Sequence, residues 1–177
     1  MFSDVKGIDA LISTEDYYLI PSKKNNIFKK KYDLKTSQFL YNILCSINYV
    51  IHVLPLLLRK ESNLYFRIKF ICYYSSVESL NRLTKGYKQN SGAVDYQNEL
   101  NEILEEKREL NLQGGLRNHI FHYEISENAF PDIVLNAEDT LDEILQFYTS
   151  VNKKDLSRII DIEYEKINGL ITRWILK

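Results

Sequence analysis

Between Thr36 and Leu54 the apolar residues return at steps of three and four: Phe39, Leu40, Ile43, Leu44, Ile47, Val50, Ile51 and Leu54. That spacing gathers them into one wide stripe of an α-helix facing a core. Pro55 removes an amide donor and crowds the preceding turn, so it is expected to kink or end this helix. A second helix is predicted from about Ser62 to Thr84, with Leu64, Ile68, Ile71, Cys72, Val77, Leu80 and Leu83 inward. The third runs from about Val94 to Leu112. Leu100, Ile103, Leu104 and Leu110 form its apolar side, and the charges of "NEILEEKREL" form a solvated face. "NLQGG" breaks or bends that helix, and residues 115–124, "GLRNHIFHYE", restart it as a short helical piece. "AEDTLDEILQFY" opens a fourth helix with acids in its first turn, where the helix dipole favours them. The last helix spans about 154–176, with Leu156, Ile159, Ile160, Ile162, Ile167, Leu170, Ile171, Trp174 and Ile175 inward.

Only six glycines and three prolines punctuate the 177 residues. An all-β fold needs more turn residues than that, so the pattern predicts an all-α, single-domain bundle of four to five helices. "KGYKQNSGA" is a turn and "SENAFPDIVLN" a loop around Pro131. Residues 1–33 carry no helical period and are expected to form an irregular N-terminal extension, leaving residues 34–177 as the bundle. The length suffices for a core without disulfides.

Charge and cysteine content narrow the picture. The net charge is −1, whereas proteins that coat nucleic acid nonspecifically are strongly basic. Any polyanion contact must therefore be local. The Lys-rich run within residues 23–31 is either a solvated tether or a track for an RNA backbone. Cys45 and Cys72 lie in apolar helical patterns and are expected to be small buried hydrophobes in a reducing compartment. The N-terminus lacks a basic start followed by an apolar block, so no signal peptide is expected. "YVIHVLPLLL" (49–58) falls short of the ~18 residues that span a bilayer and contains His52 and Pro55. A soluble, cytoplasmic protein without a membrane partner follows as the expectation.

Two of the three histidines, with Arg117 and Asn118, fall within residues 115–124. On a helix, Asn118 and His122 share a face, and the long stem of Arg117 can bring its guanidinium alongside. The Gly114–Gly115 break puts Arg117 and Asn118 near the first turn of the restarted helix, where free amide donors attract anions. A forked cation, amide donors and an imidazole that titrates near neutrality make a compact phosphate site.

Arg117, Asn118 and His122, in the order Arg-Asn-x-x-x-His, resemble the signature of the HEPN superfamily, an Arg-x(4–6)-His motif with a polar residue after the Arg. The motif covers six residues, and the helical pattern and late motif position agree with the family. The resemblance implies a HEPN-like bundle of four or five helices, with the motif near the start of a late helix after a bend. It further implies a metal-independent endoribonuclease of a toxin–antitoxin, abortive-infection or other antiviral defence system, working as a homodimer, without cofactor or metal. Catalysis would fall to Arg117, Asn118 and His122. RNA would be the substrate, and an antitoxin or other defence protein a further partner. One subgroup of the family carries a modified Tyr two positions after the His; here that position is Glu124, so that mode of regulation is not expected.

Plainer readings stand beside these. Arg117 and His122 could be an anion cap and a partly buried histidine, and the whole chain a non-catalytic module that binds RNA or protein. His119 could be half of a metal pair, but no further ligands lie at suitable spacing, so it is expected at the surface or facing substrate. Glu78 either pairs with Arg82 at the surface or faces the motif across the bundle as a supporting group. Tyr73 and Tyr74 could stack a base but suit a core, and His52 is expected in the core or beside the Pro55 kink.

Overall fold

The computed structural model describes residues 34–86, 93–110, 114–122 and 140–176, and every element among them is helical. The N-terminal extension, its Lys-rich run and the loop around Pro131 lie outside the described residues. Helix α1 (Leu34–Asn48) passes through a π-helical turn (Tyr49–Val53) into a single further turn, α2 (Leu54–Leu57). Pro55 therefore does not end the rod. The wider turn sends the Leu54 N–H to the Tyr49 carbonyl, and Pro55 then sits in the opening turn of α2, where a missing amide donor costs nothing. The rod stops at Leu58, whose backbone is extended.

The remaining elements are α3 (Asn63–Gly86), a 3₁₀ turn (Ala93–Tyr96), α4 (Gln97–Glu109), α5 (Gly114–His122), α6 (Thr140–Thr149) and α7 (Lys153–Leu176). With the α1–α2 rod counted once, the described residues hold six helical bodies rather than four to five. Helix α4 ends at Glu109 and α5 begins at Gly114, so the two count as separate helices. Ser62 starts α3 by accepting a hydrogen bond from the Tyr65 N–H at 3.1 Å, as an N-cap should.

Cross-contacts give the arrangement. Asn63 meets Lys153, Lys69 meets Ser157 and Asp161, and Tyr73 meets Tyr164. Both partners advance together, so α3 and α7 run parallel. Tyr96 stacks on Trp174, and Glu99 pairs with Arg173, which sets α4 antiparallel to α7. Helices α1 and α4 each pack on both α3 and α7, while α5 leans on α3 and α6, and α6 on α7. The core runs through all of them, from Leu40, Ile47 and Leu54 to Leu116, Ile160 and Trp174.

In the second half of α3 the predicted Val77, Leu80 and Leu83 are buried, but in the first half the inward set is rotated. Leu64 is exposed and Ile68, Ile71 and Cys72 are only half buried, whereas Tyr65, Phe66, Phe70 and Tyr73 are buried. Apolar residues crowd the stretch from Leu64 to Tyr74, and the larger aromatic faces take the centre because they remove more area from water. Cys45, expected inside, is exposed, and so is Ile162 of α7; His52 is exposed in the π turn just before Pro55, the second of its two expected places.

The core also holds charge. Lys69 is buried on α3, where its ammonium donates to the Ser157 carbonyl (2.7 Å) and Ser157 Oγ (2.9 Å) and pairs with Asp161 at 2.6 Å. Burial still pulls its pKa below the usual lysine value. Glu163 of α7 is fully buried; its Oε1 takes a 2.5 Å bond from Lys166, while its Oε2 and the Tyr73 hydroxyl have no hydrogen-bond partner among the described residues.

The apolar run 49–58 proves to be the end of a longer body. Thr36–Leu57 forms a 22-residue helix with mean hydropathy 1.6, enough by length and composition to cross a membrane. Its inner side nevertheless packs on α3 and α7 of the bundle.

Candidate functional site

Helix α5 is short, and two residues fix it. Leu116 and Ile120, four apart, are buried in the common core and turn one face of α5 inward. From α3, Arg67 donates through its Nη1 to the Ile120 carbonyl at 3.1 Å. That carbonyl lies in the last turn of α5, where backbone acceptors lack intrahelical partners, and a guanidinium there is favoured by the helix dipole as well.

The candidate residues occupy the rest of α5. Arg117 is half buried, and its Nη1 lies 3.4 Å from Asn118 Oδ1 in a long, weak hydrogen bond. Asn118 is exposed. Helix α5 starts at Gly114 itself rather than after the glycines, so Arg117 ends its first turn and Asn118 opens the second instead of sharing the first. The backbone of His122 closes α5, one turn beyond Asn118; the side chains of Phe121 and His122 lie outside the described residues, as do Tyr123 and Glu124. The helix thus brings Arg117 and Asn118 into contact and sets the His122 backbone in the expected register.

His119 is neither fully solvent-facing nor in a metal cluster among the described residues. It is half buried, and its ring lies 5.6 Å from that of Tyr148 on α6 at an interplanar angle of 32°. Tyr148 also passes over Gly115, where an added Cβ would stand in ordinary contact with its hydroxyl at 3.4 Å. Burial raises the Tyr148 pKa above its usual value. Tyr148 and Arg67 escaped the sequence reading because both sit on other helices and carry no local motif.

Glu78 does not pair with Arg82. It forms a salt bridge with Lys107 of α4, whose ammonium also sits over the Tyr74 ring, 4.2 Å from its centroid. The α3 residue with a hydrogen bond to α5 is Arg67, about three turns before Glu78 on the same helix. Tyr73 is core, edge-on to Tyr164 at 6.1 Å; burial and the neighbouring Glu163 and Glu106 carboxylates push its hydroxyl pKa far up.

Compared with protein-family models, with curated proteins and with solved structures, the chain matches none.

Proposed function

We propose that the chain is a HEPN-like, metal-independent endoribonuclease, a toxin or antiviral-defence effector of the cytoplasm that acts as a homodimer. The observation that carries the reading is α5 itself. A short helix restarted by two glycines presents a half-exposed guanidinium beside an exposed Asn in its opening turns, with His122 in the same helix.

RNA supplies its own nucleophile, the 2′-OH beside the scissile phosphate. The protein has to take that proton, hold a more negative phosphorane and help the 5′-oxygen leave. Arg117 stays charged at any physiological pH and donates in a fork, which suits phosphorane oxygens. His122 suits proton transfer because an imidazole titrates near neutrality. Asn118 orients the guanidinium through its Oδ1 or bonds a phosphate oxygen. His119 is a supporting group in this reading, whereas Glu78 is held by Lys107 on α4 and takes no part. One imidazole cannot readily be acid and base in the same step, so two copies of the motif across a two-fold axis would divide the roles. The products are a 2′,3′-cyclic phosphate and a 5′-OH, and DNA is not cut.

The test is cleavage of a mixed RNA substrate in EDTA by the wild type, Arg117→Ala and His122→Ala, with folding checked by circular dichroism. Loss of at least ~10²-fold in either variant, with the helical spectrum kept, is expected. RNA bound but left uncut by the wild type would instead assign the chain to a non-catalytic binding module, and wild-type cutting by the double variant would remove the proposal altogether.

A further inference from the structure

Helix α6 carries aromatic rings to the flank of α5. Leu141, Ile144 and Leu145 turn one side of α6 into the core, and the two residues after Gln146 stand at its rim. Tyr148 is half buried, and Phe147 is 58% exposed. Their rings meet edge to face at 5.2 Å, and the Tyr148 ring lies 5.6 Å from that of His119 at 32°. A lone exposed aromatic is ordinary on a protein surface. This one is the outermost of three rings in series, and the series leads to the candidate site. On α5, Gly115, Asn118, His119 and His122 are spaced three or four apart, so their backbones form one row. Tyr148 stands over the Gly115 end of that row.

We propose that Phe147, backed by Tyr148 and His119, is a nucleobase subsite: a base of the strand whose phosphate lies at Arg117 and Asn118 stacks on the Phe147 ring. The inference rests on the reading of α5 as a phosphate-contacting site. Two observations favour a base as the occupant. Neighbouring helices supply the two halves of a nucleotide's chemistry, a guanidinium and an amide for the phosphate on α5 and flat neutral rings for the base on α6. Burial also keeps the Tyr148 phenol protonated, so the ring wall adds no negative charge against a polyanion. Tyr73 and Tyr74, the aromatics that the sequence offered for stacking, are used otherwise: Tyr73 in the core and Tyr74 beneath the Lys107 ammonium. The subsite gives His119 its part as well, since its ring supports Tyr148 from the α5 side.

The test is fluorescence anisotropy with the full chain and three labelled strands of roughly ten residues. These are 2′-O-methyl oligoadenylate, 2′-O-methyl oligouridylate and a 2′-O-methyl strand of equal charge without bases. The methyl group blocks attack by the ribose oxygen, so binding is read without cutting. Wild type is expected to bind the adenine strand at least fivefold more tightly than the baseless one, with uracil between them because a purine covers more of the ring. Phe147→Ala, at an exposed position, should keep the helical spectrum and the affinity for the baseless strand, and lose at least fivefold on the adenine strand. Phe147→Tyr retains a flat ring and should bind as wild type. Equal wild-type affinity for the baseless and adenine strands, an equal loss on all three strands in Phe147→Ala, unchanged affinities in that variant, or no binding of any strand would each overturn the subsite. So would self-association that disappears in Phe147→Ala while no strand binds. Failure of the subsite differs from failure of the nuclease reading. RNA cleavage by wild type, with binding indifferent to Phe147, removes the subsite alone. Base-dependent binding through Phe147 in a protein that cuts no RNA keeps the subsite and removes the nuclease.

Discussion

Leu116→Ala is the sharpest probe of how α5 is held. Leu116 is 0% exposed, and with Ile120 it is one of two buried side chains, among the described residues, that seat a nine-residue helix. Removing its three outer carbons loses transfer energy and leaves a cavity, which costs ~2–5 kcal/mol in well-packed cores. A nine-residue helix can settle inward, so about 3 kcal/mol is the reasonable centre. In a chain of 177 residues each kcal/mol moves the melting temperature by roughly 2–4 °C, giving a drop of about 6–12 °C. Asn118→Ala, two residues along on the exposed side, should stay within about 0.5 kcal/mol of wild type. Thermal melts followed by circular dichroism, with urea midpoints at constant slope, make the comparison. Amide exchange across α5 should accelerate in Leu116→Ala. Equal melting temperatures for the two variants would refute the docking of α5, and with it the support for the proposed site.

Other outcomes follow from the buried polar groups. Tyr73→Phe removes a hydroxyl that has no partner, so it should be neutral or stabilising by up to ~1 kcal/mol in urea titrations, where an ordinary buried tyrosine would lose stability. Glu163 has its pKa raised, chiefly by burial, against the opposing pull of Lys166. Its unfolded form gives up the proton first, so stability from this group is highest below the ordinary carboxyl pKa and falls as pH rises through the raised value. Glu163→Gln should therefore melt higher than wild type near neutral pH and show a flatter pH profile of stability from about pH 4.5 upward. Gly115→Val drives a branched side chain towards Tyr148, already 3.4 Å from a bare Cβ, and should cost about 1–3 kcal/mol by thermal melt.

The amphipathic helices were largely legible from spacing. The stripe of α1, the apolar side of α4 and most of α7 face inward as their periods require. Where apolar residues crowd one stretch, as from Leu64 to Tyr74 in α3, period alone cannot choose the face, and aromatic area decided it. Pro55 misled because a π turn upstream absorbs the missing donor, a device with no residue signature. Cys45 misled for a different reason: its helix lacks charge on its outer side too, so composition could not separate core from surface. In the candidate site, Arg117 and Asn118 were readable from one glycine break and one helical register. Arg67 and Tyr148 were not, because they arrive from α3 and α6 through tertiary packing.

The central claim is that this chain cleaves RNA through the ribose hydroxyl, and the direct measurement is on the substrate. An end-labelled RNA cut by the wild-type protein in EDTA should yield fragments ending in a 2′,3′-cyclic phosphate. The same oligonucleotide with a single 2′-deoxy sugar at each mapped cut site should remain intact there. Cleavage of the deoxy-substituted site at the unmodified rate, or an absolute requirement for added Mg²⁺, would contradict it.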